Sequence, residues 1–412
     1  MNNTSGFIYP DFSNSLINIP NTILSHFDIK INKKLIKKSL LNEIKDSQKI
    51  VLFLVDGLGY NLFDKWSKSN KFFKNIKQKG LVKKLTTVFP SSTPAGITSI
   101  NSGLTPLEHG LLDWNLYFKE LGTIIETLPY KIIDNDFQSK KEVKEDPKIL
   151  FSSKTIFELL NQNNIPSFYF CPKGYNQNYP KAISKGARKI EYSSDKNLLI
   201  NLHKILKNTS GKAYYFVYLP KLDAIEHQYS PNSKKVITEL NSISFMIEKE
   251  LVNKLNQKLI NETSIILTGD HGQIHVDPKK TIYLNQYPQL IKSLKTNSLS
   301  EPILPTGGAR SVFLSIKKTQ IEKIIKFLKE KLKNKAQVIK IDNKTIDSLF
   351  GKGKKHKEFY NRLGNILVIP KKNNTIWFKY SKKIIFNNLG HHGGLSSDEM
   401  YIPLVAQKLK LL

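Results

Sequence analysis

The chain has 412 residues, of which 64 are Lys or Arg and 34 are Asp or Glu, so its formal net charge at pH 7 is +30. Hydrophobic residues make up 40% of the sequence, which is enough to bury a large core and excludes a wholly disordered chain. No apolar run approaches the roughly 18 residues that a membrane-spanning helix needs.

The basic residues are almost all lysine, because arginine occurs only at Arg188, Arg310 and Arg362. Proteins that recognise nucleic acids use Arg for bidentate contacts to bases and phosphates. The lysines are scattered along the chain without a long basic block. We therefore expect a solvated basic surface and no specific nucleic-acid recognition, with a patch that binds polyanions as the alternative.

The first residues, MNNTSGFIYPDF, lack the basic and apolar regions of a secretory signal, and the chain has a single cysteine, Cys171. Both features are typical of proteins in a reducing compartment, so we expect a cytoplasmic protein.

Short apolar runs alternate with segments that have helical spacing. The runs predict buried strands at Ile50–Val55, Ser167–Phe170, Ala213–Leu219 and Ser264–Leu267. The helical segments include Thr155–Leu160 and Ser233–Leu255. This alternation predicts an α/β fold with a doubly wound, mostly parallel sheet flanked by helices.

The pattern changes at about Ser298, where the Pro/Gly-rich stretch EPILPTGGAR precedes strand-like SVFLSI and AQVIKI and a basic helix near residues 320–333. A motif with two histidines, GHHGG, appears only after this stretch. We therefore expect residues 298–372 to form a small α+β insert in a catalytic core made of residues 1–297 and 373–412. Residues 1–46 are predicted to be a lead-in segment that packs on the core.

Polar groups follow four of the apolar runs, and ligands of open α/β sheets bind outside the carboxyl ends of the strands. We therefore expect these groups to converge on one site: Asp56 after IVLFLV, Thr93 after LTTVFPSS, Asp223 and His227 after AYYFVYL, and Asp270 and His271 after SIIL. Asp223 and His227 are four residues apart on one helix face and are able to share a cation.

Each of these groups also has an ordinary structural explanation. Asp56 precedes a glycine turn, and Thr93-Pro94 is a typical helix start with Thr as the cap. Glu226 lies off the face shared by Asp223 and His227, and we expect it to be solvated. The GHHGG motif could be a flexible loop, and either His391 or His392 could be a ligand.

A count of charges favours two metal ions. Three aspartates and a Thr93 alkoxide would place four negative charges in one cleft, where they would repel each other unless cations neutralised them. Mixed Asp and His ligation suits Zn²⁺ first and Mn²⁺ second. A metal ion would also supply the activation that a threonine hydroxyl needs to act as a nucleophile.

Five motifs together resemble the type I phosphodiesterase/nucleotide pyrophosphatase family of the alkaline phosphatase superfamily. They occur in the family's order: VLFLVDGLG, FPSSTPAGITSINSGLTPLEHG, YLPKLDAIEHQYSP, LTGDHG and GHHGGLSSDEMYIPLV. The likeness covers residues 8–410 and is greatest to the family's soluble bacterial and archaeal branch. The resemblance implies an alkaline-phosphatase-like fold and a zinc-dependent hydrolase.

The resemblance also implies roles for individual residues. Thr93 matches the family's nucleophile. The ligands of one metal ion would be Asp56, Thr93, Asp270 and His271, and those of the other would be Asp223, His227 and His392.

One position departs from the family pattern. Many members carry an Asn shortly after the motif that is LEHG here, and that Asn helps to hold the phosphoryl group. An ungapped match places Trp114 there, with Asn115 next to it. Asn115 would take the role after a one-residue shift, and Trp114 and Tyr117 would offer an aromatic platform for the leaving group or else pack in the core.

The sequence therefore predicts a phosphodiesterase or nucleotide pyrophosphatase that acts on a small phosphate-containing substrate through a phosphothreonine-type intermediate. A phosphomonoesterase or phosphonate hydrolase on the same two-metal site is the alternative. A non-catalytic protein that binds metal or polyanions is the second alternative. The sequence leaves the physiological substrate and the oligomeric state open.

Overall fold

The computed structural model describes residues 6–136, 146–175, 179–383 and 385–412. In chain order its strands are β1 (Lys49–Val55), β2 (Leu81–Thr86), β3 (Asn115–Phe118), β4 (Thr123–Glu126), β5 (Lys131–Ile132), β6 (Ser167–Pro172), β7 (Arg188–Tyr192), β8 (Ala213–Leu219), β9 (Thr263–Thr268), β10 (Ile274–His275), β11 (Ile282–Tyr283), β12 (Thr306–Gly308), β13 (Ser311–Leu314), β14 (Ala336–Lys340), β15 (Ile366–Pro370), β16 (Ile376–Trp377), β17 (Gly390–His391) and β18 (Tyr401–Lys408).

The α-helices are α1 (Asn18–His26), α2 (Asn42–Ile44), α3 (Tyr60–Ser67), α4 (Lys71–Lys79), α5 (Thr93–Ser102), α6 (Pro106–His109), α7 (Ile156–Gln162), α8 (Tyr179–Ile183), α9 (Asp195–Asn208), α10 (Lys221–Tyr229), α11 (Lys234–Phe245), α12 (Gln257–Glu262), α13 (Pro288–Lys292), α14 (Ile321–Leu332), α15 (Asn343–Leu349), α16 (Phe359–Leu363) and α17 (Ser397–Met400). Lys37–Leu41 and Met246–Leu251 are π-helical. Short 3₁₀ turns lie at Pro147–Ile149, Val252–Lys254, Pro278–Lys280, Leu284–Gln286, Lys318–Gln320, Lys333–Lys335 and Leu409–Leu411.

Within the described residues the central sheet has the order β2-β18-β9-β1-β8-β6-β7. The five strands from β9 to β7 are parallel, and β18 and β2 add an antiparallel edge. All residues of β1, β8 and β9 are buried because helices cover both faces of the sheet. The predicted α/β fold with a mostly parallel sheet is confirmed, and the four predicted strands are present.

A second sheet has the order β14-β15-β13-β12-β3-β4-β5 in the described chain, and its neighbouring strands are antiparallel. It contains the strands predicted for the insert. It also takes β3, β4 and β5 from residues 115–132, which precede the predicted insert. The division of the chain at residues 298 and 372 stays a prediction.

The lead-in segment packs on the core, although its first five residues lie outside the described ranges. The Ile8 amide donates to the Leu395 carbonyl at 2.8 Å, and the Leu16 amide donates to the Thr86 carbonyl at 3.0 Å. Among the described helices, none is both long and apolar enough to cross a lipid bilayer.

The helix predicted over residues 233–255 changes its geometry along its length. It is α-helical only as far as Phe245, and a π-helical turn and a 3₁₀ turn complete the segment. Its apolar stripe is still buried, because Val236, Leu240 and Ile243 all pack in the same hydrophobic cluster.

Candidate metal centre

Two neighbouring strands deliver the first group of ligands. Asp56 follows β1, and Asp270 and His271 follow β9, which pairs with β1 in parallel register. Each residue offers a ligand atom, and these atoms all lie within 4.8 Å of one another. His271 Nε2 is 3.4 Å from Asp56 Oδ1 and 3.5 Å from Asp270 Oδ2. All three side chains are buried.

Thr93 lies at the N-terminus of α5, directly beside this group. Its Oγ1 is 3.0 Å from His271 Nε2. Thr93 is the first residue of the helix and Ser92 is the cap, one residue earlier than the sequence suggested. Helix α5 approaches the Asp270 loop closely at Gly96, where a Cβ atom would lie 2.8 Å from Asp270 Cβ. A glycine at this position therefore allows Thr93 to reach the site.

The second group consists of Asp223, His227 and His392, whose ligand atoms also lie within 4.8 Å of one another. Asp223 and His227 lie on α10, with His227 Nε2 3.4 Å from Asp223 Oδ2. His392 Nε2 is 3.7 Å from Asp223 Oδ1. The rings of His271 and His392 stack with their centroids 3.8 Å apart, so the two groups are adjacent.

The imidazole rings of the three histidines in these groups have the same orientation relative to the backbone. Each has Nδ1 close to a backbone carbonyl: His227 to Gly390 at 2.8 Å, His392 to Ser91 at 3.0 Å and His271 to Gly272 at 3.3 Å. A hydrogen on Nδ1 would donate to that carbonyl and leave the Nε2 lone pair free to face the carboxylates. Burial also lowers the pKa of His271 and of His392, which favours the neutral ring that a metal ion requires.

Among the described residues, two of the site's aspartates each have one carboxylate oxygen without a hydrogen-bond partner. Asp56 Oδ1 and Asp270 Oδ2 are buried and make no hydrogen bond within the described structure. Burial raises the pKa of Asp56 well above its ordinary value, and repulsion from Asp270 and Asp223 raises it further. Burial likewise raises the pKa of Asp223 and of Asp270. The unpartnered oxygens of Asp56 and Asp270 fit one divalent cation, and the close ligand atoms of the second group fit another.

His391, the alternative ligand in GHHGG, is in neither group of close ligand atoms. Its Nδ1 accepts the His392 backbone amide at 2.9 Å, and its ring stacks on Phe386 at a centroid distance of 5.4 Å. Burial lowers its pKa to about 3, which favours the neutral form of the ring.

The expectation that Glu226 is solvated is wrong. Its side chain is 1% exposed, and neither carboxylate oxygen has a hydrogen-bond partner. Burial raises the pKa of Glu226 well above its ordinary value, with repulsion from Asp223 and Asp270 adding to the rise. Glu226 is three residues after Asp223 on α10, and the packing of this helix places its carboxyl group against Gly57. A spacing of three residues on a helix was the available signal for this position.

Two further residues that the sequence analysis did not single out donate hydrogen bonds to the candidate ligands. Tyr218 donates from its hydroxyl to Asp56 Oδ2 at 2.5 Å. Gln273 donates from Nε2 to Asp223 Oδ1 and to the Asp223 backbone carbonyl. Tyr218 is the penultimate residue of β8, so its position at a strand end was the signal for a role in the site.

A cavity of about 430 Å³ opens beside Thr93. Its aromatic wall consists of Trp114, Tyr169, Tyr175, Tyr179 and Tyr218, and its described lining contains no Lys or Arg. Trp114 is 39% exposed at this cavity.

The other two predicted substrate contacts do not line this cavity. Asn115 is buried and begins β3. Tyr117 is buried in the apolar cluster behind the second sheet. Successive side chains of a strand point to opposite faces of the sheet. Leu116 and Phe118 therefore pack in the central core, and Tyr117 lies on the other face of β3.

The mostly parallel central sheet, with candidate ligands beyond the carboxyl ends of β1, β8 and β9, defines an α/β protein with a candidate metal-binding site. Comparison with known protein families is more specific. The model of the family described as "Type I phosphodiesterase / nucleotide pyrophosphatase" matches residues 50–395, and the chain belongs to this family.

The chain is similar to several curated proteins over part of their length. It is 24% identical over 251 residues to human ectonucleotide pyrophosphatase/phosphodiesterase family member 1, a match that covers 60% of this chain and 26% of the human protein. It is 20% identical over 242 residues to a venom phosphodiesterase of Crotalus durissus collilineatus, covering 58% of this chain and 28% of the venom protein. The chain thus matches about a quarter of the length of these relatives.

Solved structures share the fold over most of the chain. Murine ectonucleotide pyrophosphatase/phosphodiesterase 5 superimposes with a TM-score of 0.63 and 15% identity, covering 87% of this chain and 88% of the murine one. An inactive variant of that murine protein is known in complex with AMP. Phosphonoacetate hydrolase from Sinorhizobium meliloti 1021, in complex with phosphonoformate, gives a TM-score of 0.63 and 17% identity, covering 88% and 90% of the two chains.

Proposed function

We propose that this protein is a metal-dependent phosphodiesterase or nucleotide pyrophosphatase with Thr93 as its nucleophile. The observation that carries the proposal is the position of Thr93 Oγ1, at a helix N-terminus and 3.0 Å from His271 Nε2, beside one buried and one half-buried group of candidate metal ligands. The free N–H groups and partial positive charge of a helix N-terminus favour both an alkoxide and a bound phosphoryl group.

Two divalent cations are part of this proposal. Asp56, Asp270, His271 and Thr93 would hold one, and Asp223, His227 and His392 would hold the other. Mixed Asp and His donors favour zinc, with manganese as the alternative. When bound, the ions supply Lewis acidity, which lowers the pKa of coordinated hydroxyl groups and neutralises charge on phosphoryl oxygens.

In the proposed reaction, Thr93 Oγ1 attacks phosphorus and forms a Thr–O–P bond as the bond from phosphorus to the leaving oxygen breaks. The leaving group departs as an alcohol or a phosphate. Water then attacks the phosphothreonine, and the Thr93 hydroxyl is regenerated as the second product leaves. Tyr218 and Gln273 keep Asp56 and Asp223 oriented by the hydrogen bonds that they donate.

The surroundings of Thr93 favour a substrate that carries a single negative charge on the attacked phosphorus and an aromatic group elsewhere in the molecule. The aromatic wall of the cavity is suited to stacking on a nucleobase, and its described lining has no cation to bind a second charged group. Arg310 is not available as a phosphate clamp, because Glu399 binds it in a buried ion pair. We therefore propose nucleotide diesters or anhydrides as the substrate class.

A phosphonate hydrolase or phosphomonoesterase is the second candidate. The likeness to phosphonoacetate hydrolase in complex with phosphonoformate supports it. We also propose a cytoplasmic setting, which the single, buried cysteine supports.

Substrate preference and the Thr93 variants test this proposal together. We expect the purified protein to cleave bis(p-nitrophenyl) phosphate and p-nitrophenyl esters of nucleotides faster than p-nitrophenyl phosphate or phosphonoacetate. Thr93→Ala should lower kcat/KM by at least about 1,000-fold, because it removes the attacking oxygen. Two metal equivalents should stay bound, because Asp56, Asp270 and His271 remain as ligands of the cation beside it. Thr93→Ser keeps a hydroxyl and is the matched control, which should retain measurable turnover.

Different results would favour the other candidates. A preference for the monoester or the phosphonate would select the second candidate. Full activity of Thr93→Ala would contradict the role of Thr93, and no turnover of any of these esters by the metal-loaded protein would favour a non-catalytic metal-binding protein.

A further inference from the structure

A buried ion pair connects the second sheet to the loop that carries His392. Arg310 lies in the tight turn between β12 and β13, and Glu399 lies in α17. Arg310 Nε donates to Glu399 Oε1 at 2.9 Å, and Arg310 Nη2 donates to Glu399 Oε2 at 2.8 Å. Their side chains are 1% and 0% exposed. The third guanidinium nitrogen, Nη1, donates to the Asn374 carbonyl at 2.5 Å.

Glu399 in turn holds the backbone of both histidine loops. Its Oε1 accepts the Gly394 amide at 2.9 Å, two residues after His392. Its backbone carbonyl accepts the Gly272 amide at 3.0 Å, directly after His271. The Gly394 backbone packs closely against the ion pair. A Cβ atom on Gly394 would lie 2.8 Å from the Glu399 carboxylate oxygens and 3.1 Å from Arg310 Nη2. The ion pair therefore helps to fix the backbone conformation of the loop that carries His392.

An arginine at position 310 is notable because nearly all basic residues of this chain are lysines. Arg310 is one of three arginines among 64 basic residues. A lysine would offer a point charge, whereas the planar guanidinium binds both carboxylate oxygens and a carbonyl at once. A carboxylate buried without this partner would also be strongly destabilising.

We propose that Arg310 is a positioning residue which, through Glu399, holds the His392 loop in the conformation that binds a divalent cation with Asp223 and His227. Arg310 lies within the predicted insert, so this part of the chain helps to form the metal centre. The proposal rests on the proposed function only in requiring a cation at these three residues; it does not depend on the substrate or on the role of Thr93.

Cobalt binding to the metal-free full-length protein tests this role without using activity. Wild type should bind two equivalents of Co²⁺, each with its own visible absorption change. Arg310→Lys should bind one equivalent as wild type does and the second about 10- to 100-fold more weakly, the loss typical of residues that orient metal ligands. Hydrogen exchange of the metal-free protein should be faster in the peptide that covers residues 390–396.

Arg362→Lys is the matched control. Arg362 is equally buried, but it donates to the backbone carbonyls of Gly110 and Ile149, at 2.9 Å and 2.8 Å, instead of holding a histidine loop. We expect this variant to lose stability and to bind both cobalt equivalents as wild type does. Glu399→Gln is a second test that keeps the side-chain volume, and it should also weaken only the second equivalent.

The proposal would be overturned if Arg310→Lys, or Glu399→Gln where the first variant fails to fold, bound both equivalents with wild-type affinity and unchanged loop exchange. Equal weakening in Arg362→Lys would also overturn it, because the effect would then be general destabilisation. A wild-type protein that bound fewer than two equivalents would overturn it as well. An inactive wild type that still showed the selective loss would refute the proposed function and leave this inference standing.

Discussion

A single buried carboxylate, Asp113, fixes the backbone beside the cavity residue Trp114. Its Oδ1 accepts the Trp114 amide at 2.8 Å, and its Oδ2 accepts the Ser311 hydroxyl at 2.5 Å. Burial raises the pKa of Asp113 to about 6, although these hydrogen bonds act in the opposite direction. Asp113 is therefore a place where the stability of the protein depends on pH.

We expect the free energy of unfolding of wild type, relative to Asp113→Asn, to fall as pH rises from 4 to 7. The folded pKa is above the unfolded one, so the contribution of the carboxyl group is complete below about pH 4 and is lost as pH rises through about 6. The shift corresponds to about 3 kcal/mol. Urea denaturation of both proteins at several pH values measures this difference, and a difference that does not change with pH would contradict the assignment.

The buried residues of the site differ in how well the sequence predicted them. Asp56, Asp223 and Asp270 could be singled out because each follows a continuous apolar strand. The prediction for Glu226 was wrong because its burial depends on the packing of α10 against the Gly57 turn. Its spacing of three residues from Asp223 indicates a neighbouring position on the helix but does not reveal that packing. The choice between His391 and His392 could not be made from the residues alone, since their orientations depend on the backbone of a glycine-rich loop.

The position of helix α5 decides how far Thr93 extends into the site. At Gly96 the helix lies against the loop that carries Asp270. In an isolated helix, Gly→Ala is stabilising by about 1 kcal/mol. Here the added methyl group would lie too close to Asp270 Cβ, so either the helix or the loop has to move.

We therefore expect Gly96→Ala to destabilise the protein by about 1–3 kcal/mol, the opposite of the helix-propensity effect. We also expect a marked loss of kcat, because Thr93 and Asp270 would be pushed apart. Thermal unfolding and steady-state kinetics measure the two effects. A more stable and fully active variant would show that α5 does not set the position of Thr93.

The central strands could be predicted at the scale of elements because strands buried on both faces are continuous apolar runs. The short antiparallel strands β3, β4 and β5 have two to four residues each and no comparable run. Their membership of the second sheet depends on long-range pairing, such as that of Asn115 with Gly307, which no local pattern reveals.

Across the whole molecule, two sheets meet at the candidate metal centre. The central sheet supplies the strand ends that carry the aspartates, and the second sheet supplies Arg310, which binds Glu399 beneath the His392 loop. The two candidate ligand groups therefore bring together residues that are more than 300 positions apart in the chain, such as Asp56 and His392. The account depends on this set of side chains holding two cations beside the Thr93 hydroxyl.

Anomalous X-ray diffraction from crystals of the metal-loaded protein, collected on both sides of the zinc absorption edge, tests that claim most directly. We predict two anomalous peaks, one among Asp56, Asp270 and His271 next to Thr93 Oγ1, and one among Asp223, His227 and His392. Crystals with manganese should show the same two positions at its own edge if that metal replaces zinc. The absence of a peak from either group in a catalytically active protein would contradict the account.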